Sequence, residues 1–390
     1  MIMEVIIFGG LSILLSYRVL GMRAAMTVIP IRFLVPFLYF RYFHFPHWME
    51  WDDGRYFSIQ SYFASHGIGL HSSLLNWLPL FGLKGGTLFN PIGVVLMDIF
   101  GIGYSTNIFF FVFLSFSCVP FIGRMCAALG MSYSEARLFS IFFLLHPDSV
   151  AYSSFMDLRD PLIMAFTTMA CCSYIAWKFN RKWIDFIAAA LFLVFVGQLR
   201  VYTPPILLIS FILALSMGYR IGGKNYRKNI LRISVISFLS LVVFSYEWSI
   251  HQAIIREEVQ RYPNAKIMMI YMISPLTWNI PNEPSFYWVT SIFHLSMLPL
   301  LVIGAVVVWK RYRDARVLPV IFVLFTVMYG LIAHQFSDPR NRYQLLLAYS
   351  FFQFVGAATL IRYIVREKFG QFSDSREDPP GSGLGSSGST

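Results

Sequence analysis

An all-α, polytopic membrane protein of about 11 transmembrane helices is the fold class this sequence predicts. Three observations carry that expectation. Of the 390 residues, 57% are hydrophobic and only 13% charged, outside the range of ordinary soluble domains. Mean hydropathy is +0.61. Apolar runs of about 15 to 23 residues recur along the chain, separated by short polar stretches, and the dyad-alternating segments of a transmembrane barrel are missing from the pattern.

The first run, Ile2 to Tyr17, precedes Arg18 and Arg23 and carries no small-residue cleavage site, so it is expected to be retained. A second run passes Pro30 toward Phe45. Arg32 and Arg41 interrupt it, and a charge at mid-bilayer costs about 3 kcal/mol on insertion scales, which moves the expected span toward Arg32 to Trp48. A longer loop, about 47–90, follows; Tyr56 to Phe63 in it suits a short helix on the membrane surface, and Pro91 to Ile102 suits a re-entrant segment.

Further crossings are expected at Tyr104 to Ile122, Ala136 to Leu145, Pro161 to Trp177, Ile184 to Gln198, Ile206 to Tyr219 and Ile233 to Tyr246. Pro161 suits the first turn of its helix, where a missing N–H costs nothing. The second long loop, about 247–286, leads to three last crossings at Tyr287 to Trp309, Val317 to Ala333 and Tyr343 to Ile361. Residues 1–372 thus read as one polytopic domain, and the Gly- and Ser-rich 373–390 as a disordered tail. Cys118, Cys126, Cys171 and Cys172 lack metal-ligand spacing and read as small core residues.

Charge sets the expected orientation. Assigned to alternate loops, 20 Lys and Arg fall on one side and 10 on the other, with Arg32 unassigned. The richer side is cytoplasmic by the positive-inside bias, which places the C-terminus inside and both long loops outside a cell (inner) membrane. The same bias accounts for the net charge of +11 without a nucleic-acid partner.

On the external side the sequence gathers acids and bases at helix ends. Trp51-Asp52-Asp53-Gly54-Arg55-Tyr56 sets two carboxylates side by side, suited to deprotonating a hydroxyl or holding a divalent cation, and equally to capping a helix or standing in water. Asp157, Arg159 and Asp160 suit substrate contact or a local ion pair and helix cap. Arg200 ends an apolar run and suits phosphate binding or snorkelling to headgroups. His334, Arg340, Arg342 and Tyr343 precede the last crossing, and the two arginines there run against the charge bias, which favours an anionic ligand. His146 and His334 lie at outer helix ends, where they could share a metal with the carboxylates, and read first as polar helix ends; no metal ligands are assigned to histidine, and the candidate cation is a divalent ion at Asp52 and Asp53. Arginines that grip a phosphate, beside a carboxylate base, fit glycosyl transfer from a lipid-linked donor. No Gly-rich nucleotide loop is present.

The stretch Trp51 to Tyr56, continuing through Ser61-Tyr62-Phe63 to Gly67, resembles the first external loop of GT-C-type glycosyltransferases related to protein O-mannosyltransferases. Pro147 to Pro161, with its Asp160-Pro161-Leu162, looks like that superfamily's later outer loop, and Arg342-Tyr343 is similar to its late Arg-Tyr element. This chain has Asp52-Asp53 where the family commonly has Asp-Glu, which leaves open which carboxylate is the base.

The resemblance implies a polyprenyl-phosphate or polyprenyl-diphosphate sugar donor, a glycan, lipid or protein acceptor, and a role in cell-envelope or extracellular glycan synthesis. It also implies Asp52 or Asp53 as catalytic base and the outer arginines as holders of the lipid phosphate; with the reading of the outer helix ends, Arg55, Tyr56, Asp157, Arg159, Asp160, Arg200, His334, Arg340, Arg342 and Tyr343 are expected around the substrate, with membrane lipids as surroundings. A polysaccharide polymerase or O-antigen-type ligase is the nearest alternative; an Arg-x10-Gly pattern fails at Arg159, Arg200, Arg340 and Arg342. A lipid or glycan flippase is the second, and it predicts internal repeats and mid-membrane charge, whereas the ionisable residues gather at one face.

Overall fold

The computed structural model describes residues 1–43, 52–70, 72, 88–200, 203–216, 286–332 and 343–374, with the side chains of 52, 53, 286–288, 291, 328–332 and 366–374 excepted. Among the described residues the chain is helical and contains no strand. Its α-helices are α1 (Ile2–Leu20), α2 (Met22–Leu38), α3 (Asp52–Ser65), α4 (Phe89–Phe100), α5 (Tyr104–Ser117), α6 (Val119–Ala128) and α7 (Tyr133–Leu145). They continue as α8 (Pro147–Ser154), α9 (Asp160–Asn180), α10 (Trp183–Leu199), α11 (Thr203–Ser216), α12 (Phe286–Arg311), α13 (Val317–Ile332) and α14 (Leu346–Asp374).

Among the described residues, six stretches are long and apolar enough to cross a membrane: α1, Met22–Phe43, Tyr104–Ala128, α9, Ile292–Arg311 and Leu346–Val365. α4, α10 and α11 are shorter apolar helices. The expected crossing at 233–246, the loop at 247–285 and the tail from 375 lie outside the described residues.

Burial separates lipid-facing from internal helices. α9 is buried along nearly its whole length, which makes it the centre of the bundle, packed against α5, α6 and α10. α1 and α10 instead turn Ile2, Ile6, Leu14, Ile184, Ile187 and Val194 outward, as helices bordered by lipid do.

Several expected boundaries move. The second run is not displaced toward Trp48: α2 starts at Met22, and Arg32 lies inside it without any exposure. Two internal prolines, Pro30 and Pro36, leave carbonyls without their usual donors, and the helix relaxes into a π-turn at Tyr39–Phe43. The third run extends to Ala128, through a break at Cys118 that Pro120 in the first turn of α6 accommodates. The surface helix after the acidic pair is longer than expected, Asp52–Ser65, and is held on α4, where a Cβ at Gly93 would collide with the Gln60 side chain.

α7 begins at a Ser132–Glu135 capping box and has 13 residues, about 20 Å of helix against a hydrocarbon core of about 30 Å. The break at His146 and the short α8 that follows are therefore carried inside the bundle, where irregular backbone must be sheltered by protein. α8 contacts α2, α5, α7, α9 and α12, so its polar side chains meet several long helices at once. On the far side α12 and α14 touch backbone to backbone. A Cβ on Gly304 would strike the Phe352 carbonyl, and one on Gly356 the Leu300 carbonyl, so two glycines set the separation of the pair.

Candidate functional site

A belt of buried polar side chains surrounds α8 and the segment that leads from it into α9. Its first part is Arg32. The guanidinium donates from Nη1 to Ser154 Oγ (3.1 Å) and from Nη2 to the Ser149 carbonyl (3.2 Å) and Ser153 Oγ (2.6 Å). No carboxylate among the described residues lies within ion-pair distance of it. Tyr152, on the same helix, stacks on Tyr343 with ring centroids 4.7 Å apart. Tyr343, expected at the substrate, is buried and forms part of the wall of this belt.

The second part is a hydrogen-bonded ring at the α7–α8 corner. His146 is the N-cap of α8 and its Nδ1 accepts the Asp148 N–H (3.2 Å). Asp148 Oδ2 meets His294 Nε2 of α12 at 2.7 Å. Gln353 of α14 spans both rings, 3.1 Å from His146 Nε2 and 3.5 Å from His294 Nδ1. The sequence reading of His146 as a polar helix end holds, since it closes α7 and caps α8, and the structure adds that it is 1% exposed and engaged on both nitrogens.

The third part joins the acidic-pair helix to the bundle. Asn107 of α5 donates through Nδ2 to Gln60 Oε1 (2.6 Å) and to Asp157 Oδ2 (2.9 Å). The Asp157 N–H donates to the Tyr104 hydroxyl (2.9 Å). α3 is thereby tied to the 155–160 segment. Asp52 and Asp53 form the first turn of α3; their side chains lie outside the described residues. Arg55 is exposed on that helix, and Tyr56 is buried edge-on against Phe89 at 5.0 Å, a packing contact.

Finally, Arg200 Nη2 pairs with Asp160 Oδ1 at 3.0 Å, both side chains under 10% exposed. Two sequence readings change. Arg200 does not snorkel, and Asp160 does not cap α9, whose N-cap is Arg159 without a side-chain cap bond. Among the described residues, half-buried Arg159 reaches the Leu199 carbonyl, at 3.4 Å. Next to the pair, Thr203 Oγ1 donates to Gln344 Oε1 at 3.0 Å, joining α11 to the start of the last helix. His334, Arg340 and Arg342 lie outside the described residues.

The structure thus brings Asp157, Asp160 and Arg200 into one buried neighbourhood and adds residues that sequence reasoning passed over: Arg32 as an internal group, Gln60, Asn107, His294 and Gln353. Their sequence signal was a strongly polar side chain inside an apolar stretch, the pattern that marks function within membranes. No family model, no curated protein and no solved structure matches the chain.

Proposed function

We propose that this chain is an integral membrane glycosyltransferase of the GT-C type that takes its sugar from a polyprenyl-phosphate or polyprenyl-diphosphate donor at the external face of the membrane. The observation that carries the reading is the Gln60–Asn107–Asp157 link, which holds the helix headed by Asp52 and Asp53 beside the segment bearing Arg159 and the Asp160–Arg200 pair. In the proposed reaction Asp52 or Asp53 takes the proton of an acceptor hydroxyl, and its oxygen attacks the anomeric carbon. The bond from that carbon to the phosphate oxygen breaks, and the electron pair leaves with the phosphate. Arg159 makes no ion pair among the described residues, so its guanidinium is available to stabilise that departing charge.

One observation favours a second reading, a lipid or glycan flippase: Arg32 sets a buried ionisable group at the middle of the membrane-length stretch Met22–Phe43, away from the helix ends where the sequence concentrated such groups. An assay of lipid-linked glycan turnover in sealed vesicles separates the two. Asp52→Asn or Asp53→Asn is expected to abolish formation of the new glycosidic bond at wild-type protein levels. Full activity of both variants sinks the proposed base, and donor movement across the bilayer with no new bond favours the flippase.

A further inference from the structure

His146, Asp148 and His294 each offer a donor atom, and these atoms lie within 4.8 Å of one another, all in buried residues. The two imidazole rings are 5.3 Å apart. One backbone amide orders their protons. The Asp148 N–H can only donate, so His146 Nδ1 accepts and its proton sits on Nε2, facing Gln353 Oε1. The amide end of Gln353 faces His294 Nδ1, which leaves the His294 proton on Nε2 against the Asp148 carboxylate. A divalent ion takes the place of some of these contacts: each imidazole has to turn a bare nitrogen to it and keep its proton on the other, so loading redistributes the hydrogen bonds of the ring.

We infer that His146, Asp148 and His294 bind a divalent first-row transition ion, with zinc the best match. Two imidazole nitrogens and one carboxylate oxygen form a zinc donor set, whereas magnesium and calcium take oxygen ligands. The ion takes His294 Nε2 and Asp148 Oδ2 while the His294 proton moves to Nδ1, and His146 supplies the third protein ligand through a nitrogen that exchanges its present hydrogen bond for the ion. Gln353, in hydrogen-bond reach of both rings, is the outer support for one of them, its Oε1 accepting the N–H of a ligating imidazole. The ligands come from the α7–α8 corner and from α12, so the ion clamps α12 to α8. The site shares no residue with the acidic pair and is independent of the glycosyltransferase reading.

The test uses the full chain purified in detergent, stripped with a chelator and reloaded with Zn²⁺ or Co²⁺, with metal measured by elemental analysis and visible absorption. Wild type is expected to hold about one ion per chain and to show cobalt d–d bands of a low-coordinate nitrogen and oxygen site. Asp148→Asn and His294→Gln, scored on monodisperse protein, are expected to lower metal retention at least about tenfold. His294→Cys keeps a ligand and is expected to add a thiolate-to-cobalt charge-transfer band, a readout that loss of folding cannot imitate. Wild type that takes up no stoichiometric metal, undiminished retention in both ligand variants, or no charge-transfer band in a loaded His294→Cys protein overturns the site.

Discussion

Around Arg200 a buried cation meets a buried anion, whereas around Arg32 it meets two hydroxyls and a backbone carbonyl. At the α9–α10 corner the Asp160 carboxylate, which also sits in the first turn of α9 where a helix favours negative charge, neutralises Arg200. At the α2–α8 contact three neutral oxygens solvate Arg32, and its charge remains. A paired charge makes each partner depend on the other; a solvated one can be removed without stranding an opposite charge. The two arginines therefore carry different kinds of risk, and substitution separates them.

Arg200→Met is expected to have the largest effect. It leaves Asp160 buried without its cation, and breaking such a pair costs about 3–5 kcal/mol. Unfolding in detergent followed by denaturant titration measures it. Arg200→Met combined with Asp160→Leu is expected to recover most of the loss; a double variant as unstable as the single one would show that the corner depends on something other than the pair.

Arg32→Met is expected to change stability by no more than about 1 kcal/mol in either direction, since the lost hydrogen bonds are offset by relief from burying a charge. A loss as large as that of Arg200→Met would reveal a carboxylate partner contributed by 44–51, 217–285 or another segment outside the described residues. Arg32→Lys tests the fork geometry, because one ammonium on a flexible stem does not reproduce the planar spread that reaches Ser149, Ser153 and Ser154.

The exposed pair Arg362–Glu135 supplies the lower end of the same scale. Hydrogen bonding from the Ser132 backbone N–H, ahead of the contribution of Arg362, holds the Glu135 carboxyl below its ordinary value near 4.5. A carboxyl depressed on folding adds stability that is present above its unfolded value and disappears as pH falls through the folded one. Glu135→Gln is therefore expected to flatten the acid limb of stability below about pH 4.5 and to leave the neutral region nearly unchanged. An unaltered acid limb would mean that the cap, and not the charge, carries the contribution.

Much of the fold was legible in the sequence because lipid exposure demands apolar runs of a set length. Ile2–Leu20, Asp160–Asn180 and Phe286–Arg311 stand close to the positions their hydropathy predicts. Where the sequence misled, one local signal outweighed a tertiary one. Insertion cost moved the expected second span so that it began at Arg32, although Ser149, Ser153 and Ser154 on a short internal helix offset that cost and let Arg32 sit inside the span. His294 stood as a single histidine within an apolar run, and its meaning came only from Asp148, 146 residues away. Gln60, Asn107 and Asp157 likewise form one link from three separate segments.

The sequence by itself determined that this is an all-α membrane protein and that acidic and basic residues collect before particular helices, because hydropathy and charge are properties of each residue and its near neighbours. The tertiary structure alone decided which of those groups neutralise one another. Among the described residues, Arg200 meets Asp160, Arg32 meets neutral oxygens, and His146, Asp148 and His294 converge because α8 is too short to leave the bundle and the Gly304–Gly356 seam holds Gln353 and α12 against it. Pairing distances fall off over a few ångströms, and only packing brings residues far apart in the chain within that range.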